Sequence, residues 1–125
     1  MVSTDRGDTW TSGGQLTTKA NVGYNNGYYK YCSNGIDRID FVCSDYHLRD
    51  FPTSIFHGYI QNGKIYKSDG VLVDDNVLDT LNLASTAKLT LVFADSTIVQ
   101  GDAMRRCWNT DVQRYGDGTI ATIIT

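Results

Sequence analysis

The feature that most constrains the fold is an eight-residue segment near the start of the chain, residues 3–10, which fits the pattern S-x-D-x-G-x-T-W. The fixed positions are Ser3, Asp5, Gly7, Thr9 and Trp10. Asp5 can turn its carboxylate back onto backbone N–H groups two residues further on, and Gly7 supplies the positive φ that a tight turn requires. Ser3 and Thr9 can add hydroxyl hydrogen bonds. The segment therefore predicts a hairpin, with Trp10 buried and its indole N–H partnered.

Turn signals recur at short intervals along the rest of the chain. Twelve Gly, eight Tyr and a single Pro among 125 residues are typical of many short strands joined by tight turns. The predicted strands are 9–12, 28–32, 38–44, 54–60, 64–67, 71–73, 88–93, 105–114 and 119–125. The remainder of the polar run 11–26, after the strand 9–12, is predicted to be a long surface connection. Residues 74–87 fit either one or two helical turns or an irregular connection. We expect a single all-β domain over residues 1–125, built from antiparallel four-stranded sheets.

Two hairpins allow a register to be predicted. A two-residue turn at Asn34-Gly35 would pair Cys32 with Asp37 and leave Cys43 too far away for a cross-strand disulfide, so free thiols are expected. A two-residue loop at Asp117-Gly118 would pair Asp111 with Ile124. Trp108 would then lack a partner, and both ends of the chain would be cut through strands.

Composition excludes several classes of function. The formal net charge is -3 and no basic cluster is present, which argues against a nucleic-acid surface. No apolar run approaches the ~18 residues needed to span a membrane, and no signal peptide is visible. The three cysteines form no C-x-x-C pair, and paired aspartates at 74–75 and at 45 and 50 are typical of solvated loops. We expect no metal and no cofactor.

Residues 3–10 resemble the Asp box, or BNR repeat, of sialidase-type β-propellers. The similarity continues in order along a family of BNR-repeat propellers from polysaccharide-degrading bacteria. Residues 29–41 resemble the hairpin after the box, 54–57 its Ser-Ile-Tyr-His strand, 58–70 its meander, 107–112 its Trp-x-x-Asp strand and 117–120 its Asp-Gly hairpin. The loop Asp45-Tyr46-His47-Leu48 stands where the family has Asp-Gly-His-Pro, and departs from it at Tyr46 and Leu48.

The resemblance implies a radial propeller of four-stranded blades that handles glycans at a central funnel. A blade takes ~40–45 residues, so the chain would hold two to three blades of a ring that needs at least four. The expectation is therefore a partial propeller that is either a piece of a longer chain or closes its ring as a homo-oligomer. The family resemblance also suggests a periplasmic or secreted origin.

Both histidines fall in the segment of closest resemblance. In a polysaccharide lyase, His47 or His57 would take the proton α to a uronate carboxylate, Arg49 would neutralise that carboxylate, and Tyr46 or Tyr59 would assist. In the structural alternative, His57 lies in a strand, faces the same way as Tyr59 and is a satisfied core residue.

A complete sialidase site is not expected, because the sequence has no Glu for the Tyr/Glu nucleophile pair. At most one of Arg105 and Arg106 can face a funnel, since neighbours on a strand point to opposite sides. The candidates for glycan binding are Tyr46, Arg106 and Trp108. The sequence predicts a fragment or degenerate copy of a carbohydrate-active propeller that binds glycan or lacks independent catalysis. The alternatives are a self-assembling glycan-binding module and an oligomeric lyase that uses His47 and Arg49.

Overall fold

The computed structural model describes residues 1–18, 27–79, 81 and 83–125. In these residues the chain forms ten strands and one short 3₁₀ turn, Thr86–Lys88. The strands are β1 (Tyr29–Ser33), β2 (Arg38–Ser44), β3 (Ile55–Gln61), β4 (Lys64–Tyr66), β5 (Leu72–Asp74), β6 (Thr90–Phe93), β7 (Thr97–Val99), β8 (Asp102–Met104), β9 (Asn109–Arg114) and β10 (Ile120–Ile124). A helix long and apolar enough to cross a membrane is not found in this part of the chain.

The largest sheet has six strands, all paired antiparallel. Strands β1 to β5 follow one another as a meander, and β6 returns to pair with the first half of β3, beside β4. Two further hairpins, β7–β8 and β9–β10, form separate two-stranded sheets. The predicted all-β antiparallel class is confirmed, and none of the described sheets closes into a ring.

The six-stranded sheet is covered on both faces. Along β2, Phe41 and Cys43 point to one face, where Leu89 and the segment around Ala84 pack on them. Val42 points to the opposite face and packs with Ile55 of β3 against the β9–β10 hairpin. Because both faces are covered, the second half of β2 is a continuous buried run rather than an alternating one.

The Asp-box segment forms the predicted hairpin. Val2 and Thr11 exchange both backbone hydrogen bonds, at 2.8 and 2.9 Å, and Gly7 has the expected positive φ of 99°. The Asp5 carboxylate accepts the Thr9 N–H at 2.9 Å, so it reaches four residues on rather than the two expected. It also accepts the Thr9 and Ser3 hydroxyls, and these bonds hold the pKa of Asp5 well below its usual range.

Two expectations for this hairpin are wrong. The predicted strand 9–12 is reduced to the single bridge at Thr11. Trp10 is 58% exposed, because its indole N–H already finds its acceptor in the local turn, the Gly7 carbonyl at 3.0 Å. The predicted connection over 11–26 lies partly outside the described residues, which resume at Gly27.

The β1–β2 hairpin is longer than the predicted two-residue turn. Cys32 pairs with Asp40, not with Asp37. The Asn34 side-chain oxygen explains the difference, because it accepts three consecutive backbone N–H groups, from residues 36, 37 and 38, and so holds a wider loop. Cys43 pairs with Tyr29, and all three cysteines are free thiols, as predicted.

The register predicted for the C-terminal hairpin is also wrong. Asp111 pairs with Ile123, and a bulge at Ile123/Ile124 then brings Ile124 opposite Asn109. Trp108 consequently exchanges both backbone hydrogen bonds with Thr125, at 2.7 and 3.0 Å. The expectation that Trp108 has no partner within the chain is wrong.

The structure also contains the hairpin β7–β8, which was not predicted. Its turn is Gln100-Gly101, and both residues have positive φ, 52° and 97°. The described part of 74–87 has no α-helix, so the irregular alternative holds there.

Candidate functional site

The residues predicted for chemistry separate into two groups. The loop after β2 and the start of β9 bring together five of them, which are Tyr46, His47, Arg49, Arg106 and Trp108. His57 and Tyr59 lie on β3 two residues apart, and both are buried. His57 lines the cavity between the main sheet and the β9–β10 hairpin. The lyase site that combines His47 with Tyr59 is therefore not assembled as one cluster.

The loop between β2 and β3 is held by Asp45. One of its carboxylate oxygens accepts the backbone N–H of Tyr46 and that of Ser54, both at 3.0 Å. Burial raises the pKa of Asp45 from its ordinary value. The loop closes on a turn in which the His47 carbonyl accepts the N–H groups of Asp50 and Phe51.

Both ring nitrogens of His47 have partners. Nδ1 accepts the backbone N–H of Arg49 at 3.0 Å. Nε2 lies 2.8 Å from the hydroxyl of Tyr28. Since a nitrogen that accepts an N–H carries no proton, the neutral ring is protonated at Nε2 and donates to Tyr28.

Tyr28 also carries the aromatic contact of this group. Its ring lies 4.9 Å from that of Trp108, tilted by 33°, and 5.1 Å from that of His47. Buried Asn109 anchors the arrangement, because its side-chain N–H₂ donates to the carbonyls of Tyr28 and Val42. Trp108 remains 40% exposed, so part of its ring is open to solvent.

Two guanidinium groups border the aromatic rings. Arg106 donates to the carbonyl of Arg49 at 2.8 Å. Arg49 itself is 67% exposed and bonds to Asp50 at 2.9 Å, and this bond lowers the pKa of Asp50 from its ordinary value. We call the set Tyr28, His47, Arg49, Arg106 and Trp108 the His47 surface. Tyr46 lies beside it and packs on Phe51, at 5.3 Å between ring centroids.

Asp40 is the centre of the second group. Its side chain is fully buried, yet it accepts four hydrogen bonds from three side chains. Arg38 donates twice to one oxygen, at 3.0 and 2.7 Å, and His57 approaches the same oxygen at 3.3 Å. Arg114 of β9 donates to the other oxygen at 3.0 Å. The buried charge is thus fully compensated, as a carboxylate in this position requires.

His57 is 4% exposed, as the structural alternative for this residue requires. Because Asp40 can only accept, His57 carries its proton on Nε2, and the Ser68 hydroxyl donates to Nδ1 at 2.7 Å. Burial lowers the pKa of His57 from its ordinary value. Tyr59 is buried too, with the Arg38 guanidinium 3.5 Å above its ring and Tyr66 stacked on it.

A cavity of about 400 Å³ opens beside Asp40. It is lined by Arg38, Val42, His57, Ser68, Val92, Arg114, Gly118, Ile120 and Thr122. We call it the Arg114 cavity. It lies between the main sheet and the β9–β10 hairpin.

Sequence reasoning missed four residues of these two groups, namely Tyr28, Arg38, Asp40 and Arg114. The alternation along β2 could have marked Arg38 and Asp40 as sharing a face with Val42, but their contact with β9 leaves no local signal. In the described residues, no group of three or more His, Cys, Asp or Glu side chains could hold a metal ion.

Comparison with known proteins gives no match for the chain: no protein-family model, no curated protein and no solved structure is significantly similar to it.

Proposed function

We propose that the protein binds carbohydrate at the His47 surface and does not catalyse a reaction there. The observation that carries the proposal is the partly exposed ring of Trp108, which lies 4.9 Å from the Tyr28 ring near Arg49 and Arg106. The C–H face of a sugar ring packs on an aromatic face, while guanidinium N–H groups bind hydroxyl or carboxylate oxygens in pairs. The His47 surface contains groups that can make both kinds of contact.

The bonding of His47 supports binding over catalysis. A general base needs a nitrogen lone pair directed at the substrate. Nδ1 of His47 uses its lone pair on the Arg49 N–H, and Nε2 carries the proton that it donates to Tyr28. His47 would have to break one of these bonds before it could accept a proton. In the arrangement described, it orients Tyr28 instead.

The relation to BNR-repeat propellers remains part of the proposal, with the chain as a two-to-three-blade piece or degenerate copy. Two features support it. Strands β1 to β4 form a four-stranded antiparallel meander, which is the make-up of a blade. The Asp-box residues also form a closed hairpin in which Ser3, Asp5 and Thr9 bond across the turn.

Trp108 provides the direct test. Isothermal titration calorimetry would measure binding of a panel of neutral and uronate-containing oligosaccharides, and Trp108→Ala would be compared with Trp10→Ala. Trp10 is the matched control, because it is also exposed but lies on the Asp-box hairpin. We expect saturable binding to at least one glycan, unchanged in Trp10→Ala and lost in Trp108→Ala. Absence of saturable binding across the panel, or equal loss in both variants, would refute the proposal.

The second candidate is a polysaccharide lyase, favoured by the 2.8 Å contact between His47 and Tyr28. In that reaction the pair would remove the proton α to a uronate carboxylate held by Arg49. The C–O bond to the leaving sugar would then break, the departing oxygen would take a proton back from the pair, and a C=C double bond would remain. Incubation with polyuronates, followed at the ultraviolet absorbance of the unsaturated product, decides between the two. A rise in absorbance that is lost in His47→Gln would refute the binding proposal in favour of the lyase.

A further inference from the structure

We propose that the Arg114 cavity binds a small organic carboxylate with a short apolar body. This inference is independent of the His47 surface and of carbohydrate binding. It rests on the charge around Asp40, on the guanidinium groups that Asp40 does not use, and on the walls of the cavity.

The charged groups that line the cavity, taken together with Asp40, do not balance. Asp37, whose carboxylate also interacts with Arg38, is exposed and does not line the cavity. Arg38 and Arg114 contribute two positive charges, and buried Asp40 contributes one negative charge. His57 adds none when neutral, which its burial favours. A single guanidinium would neutralise Asp40, so the pair leaves one positive charge beside the cavity. An anion is the ligand that completes this arrangement.

The two guanidinium groups also keep donors in reserve. Arg38 uses Nε and Nη2 on Asp40, and Arg114 uses Nη1. Within the described residues, no acceptor takes Nη1 of Arg38 or Nε and Nη2 of Arg114. Both side chains line the cavity and are 18–19% exposed, so these donors are available to a ligand that enters it. Planar guanidinium forks match the two oxygens of a carboxylate.

The rest of the wall selects the body of the ligand. Val42, Val92 and Ile120 form apolar contacts, and the hydroxyls of Ser68 and Thr122 complete the lining. The volume of about 400 Å³ is at the small end of the range for ligand pockets. An apolar wall gains nothing from a fully hydrated inorganic anion, whereas a short hydrocarbon chain would bury its surface there.

Gly118 lines the cavity beside the Arg114 guanidinium. Gly118 lies in the β9–β10 turn with a φ of +90°, and a side chain there would meet Arg114 Nη2 at 3.6 Å. Glycine thus leaves the outer side of the Arg114 guanidinium uncovered.

The test uses butyrate as the probe. Its binding is measured from the shifts of the methyl NMR signals of Val42, Val92 and Ile120. Butyramide has the same shape without the charge, and inorganic phosphate has the charge without the apolar body. We expect butyrate to bind saturably, with a Kd on the order of 1 mM, and both comparison probes to bind at least tenfold more weakly. No saturable shift with butyrate overturns the proposal, as does equal binding of butyramide or of phosphate.

Location is tested by Val92→Glu, which places a competing carboxylate at the cavity wall. Leu91→Glu is the matched control, because Leu91 is next to Val92 on β6 and similarly exposed but does not line the cavity. We expect butyrate binding to be lost in Val92→Glu and kept in Leu91→Glu. Arg114→Gln provides a second variant with the same expected loss. Retained binding in Arg114→Gln, checked to be folded by circular dichroism, would overturn the assignment of the anion site.

Discussion

The Arg114 guanidinium and the Asp40 carboxylate, 74 residues apart in sequence, form a 3.0 Å ion pair that joins β9 to β2. The carboxylate is fully buried, and its other oxygen is held by Arg38 and His57. The same pair borders the cavity, so one interaction both docks the C-terminal hairpin on the main sheet and positions a cationic wall.

Removal of the central carboxylate should destabilise the fold strongly. Asp40→Asn keeps the shape but leaves two guanidinium groups without their counter-charge at the interface of β2 and β9. Breaking a buried ion pair by removing one partner costs about 3–5 kcal/mol. We expect a loss of that size in the free energy of unfolding, measured by urea denaturation. Asp37→Asn, which alters an exposed carboxylate, is the control, and an equal effect of the two variants would contradict the central position of Asp40.

Stability should depend on pH through His57. Burial lowers the pKa of folded His57 below its unfolded value near 6.5. As pH falls through that unfolded value, the unfolded state takes up the proton first, so the free energy of unfolding decreases with falling pH. We expect this slope between about pH 7 and 5 to flatten in His57→Gln and to persist in His47→Gln. A slope unchanged in His57→Gln would assign the dependence to other groups.

Local turn chemistry predicted much of the sheet but not its registers. The meander β3–β4–β5 follows from Asn62-Gly63 and Asp69-Gly70, because each joint has its own turn residues. The errors in register arise where one side chain or one extra residue changes the number of residues between two paired positions. Asn34 widens the first hairpin by accepting three N–H groups, and the bulge at Ile123/Ile124 shifts the last one. The turn residues alone predict neither the wider loop nor the bulge.

The candidate site was predicted only in part, for a related reason. Thr53 bonds to the Cys107 carbonyl at 2.7 Å, which brings the loop with His47 to the start of β9 with Trp108. Tyr28 joins them through Asn109. These contacts span more than fifty residues, and no periodicity in one sequence encodes which loop meets which strand.

The three thiols should react in order of burial. Burial raises the pKa of Cys43 to about 12, so almost none of it is thiolate at neutral pH. Cys107 is similarly inaccessible, whereas Cys32 is half-buried. With a thiol reagent under native conditions, we expect one fast equivalent from Cys32 and two slow ones, and three fast equivalents in denaturant. A fast reaction of Cys43 in the native protein would show that the sheet opens readily at β2.

Asp5 should stabilise the Asp-box hairpin itself and contribute little to the stability of the whole fold. Asp5→Ala removes the acceptor of the Thr9 N–H and of two hydroxyls. Since the hairpin is exposed and joined by only one bridge, from Val2 to Thr11, we expect faster amide hydrogen exchange at Thr9 and Thr11 with little change in the urea midpoint. Asp8→Ala, in the same turn, should leave exchange unaltered. A shift of the whole unfolding transition in Asp5→Ala would contradict a local role.

The protein should self-associate, as expected for a partial propeller whose copies close a ring. The structure leaves large apolar side chains exposed on its outer strands: Leu91 on β6 is 53% exposed, Ile98 on β7 64% and Ile123 on β10 59%. Covering such surface stabilises an assembly by about 25 cal/mol per Å², and a closed cyclic arrangement covers it in every copy. Light scattering after size exclusion should give two or three times the 13.9 kDa of one chain. Ile98→Lys or Ile123→Lys should lower that mass. Ile36→Lys should not, because Ile36 lies in the β1–β2 hairpin loop and not on one of these strands. A monodisperse species of one chain's mass at micromolar concentration would show that the protein does not self-associate. It would also weaken the proposed relation to propellers.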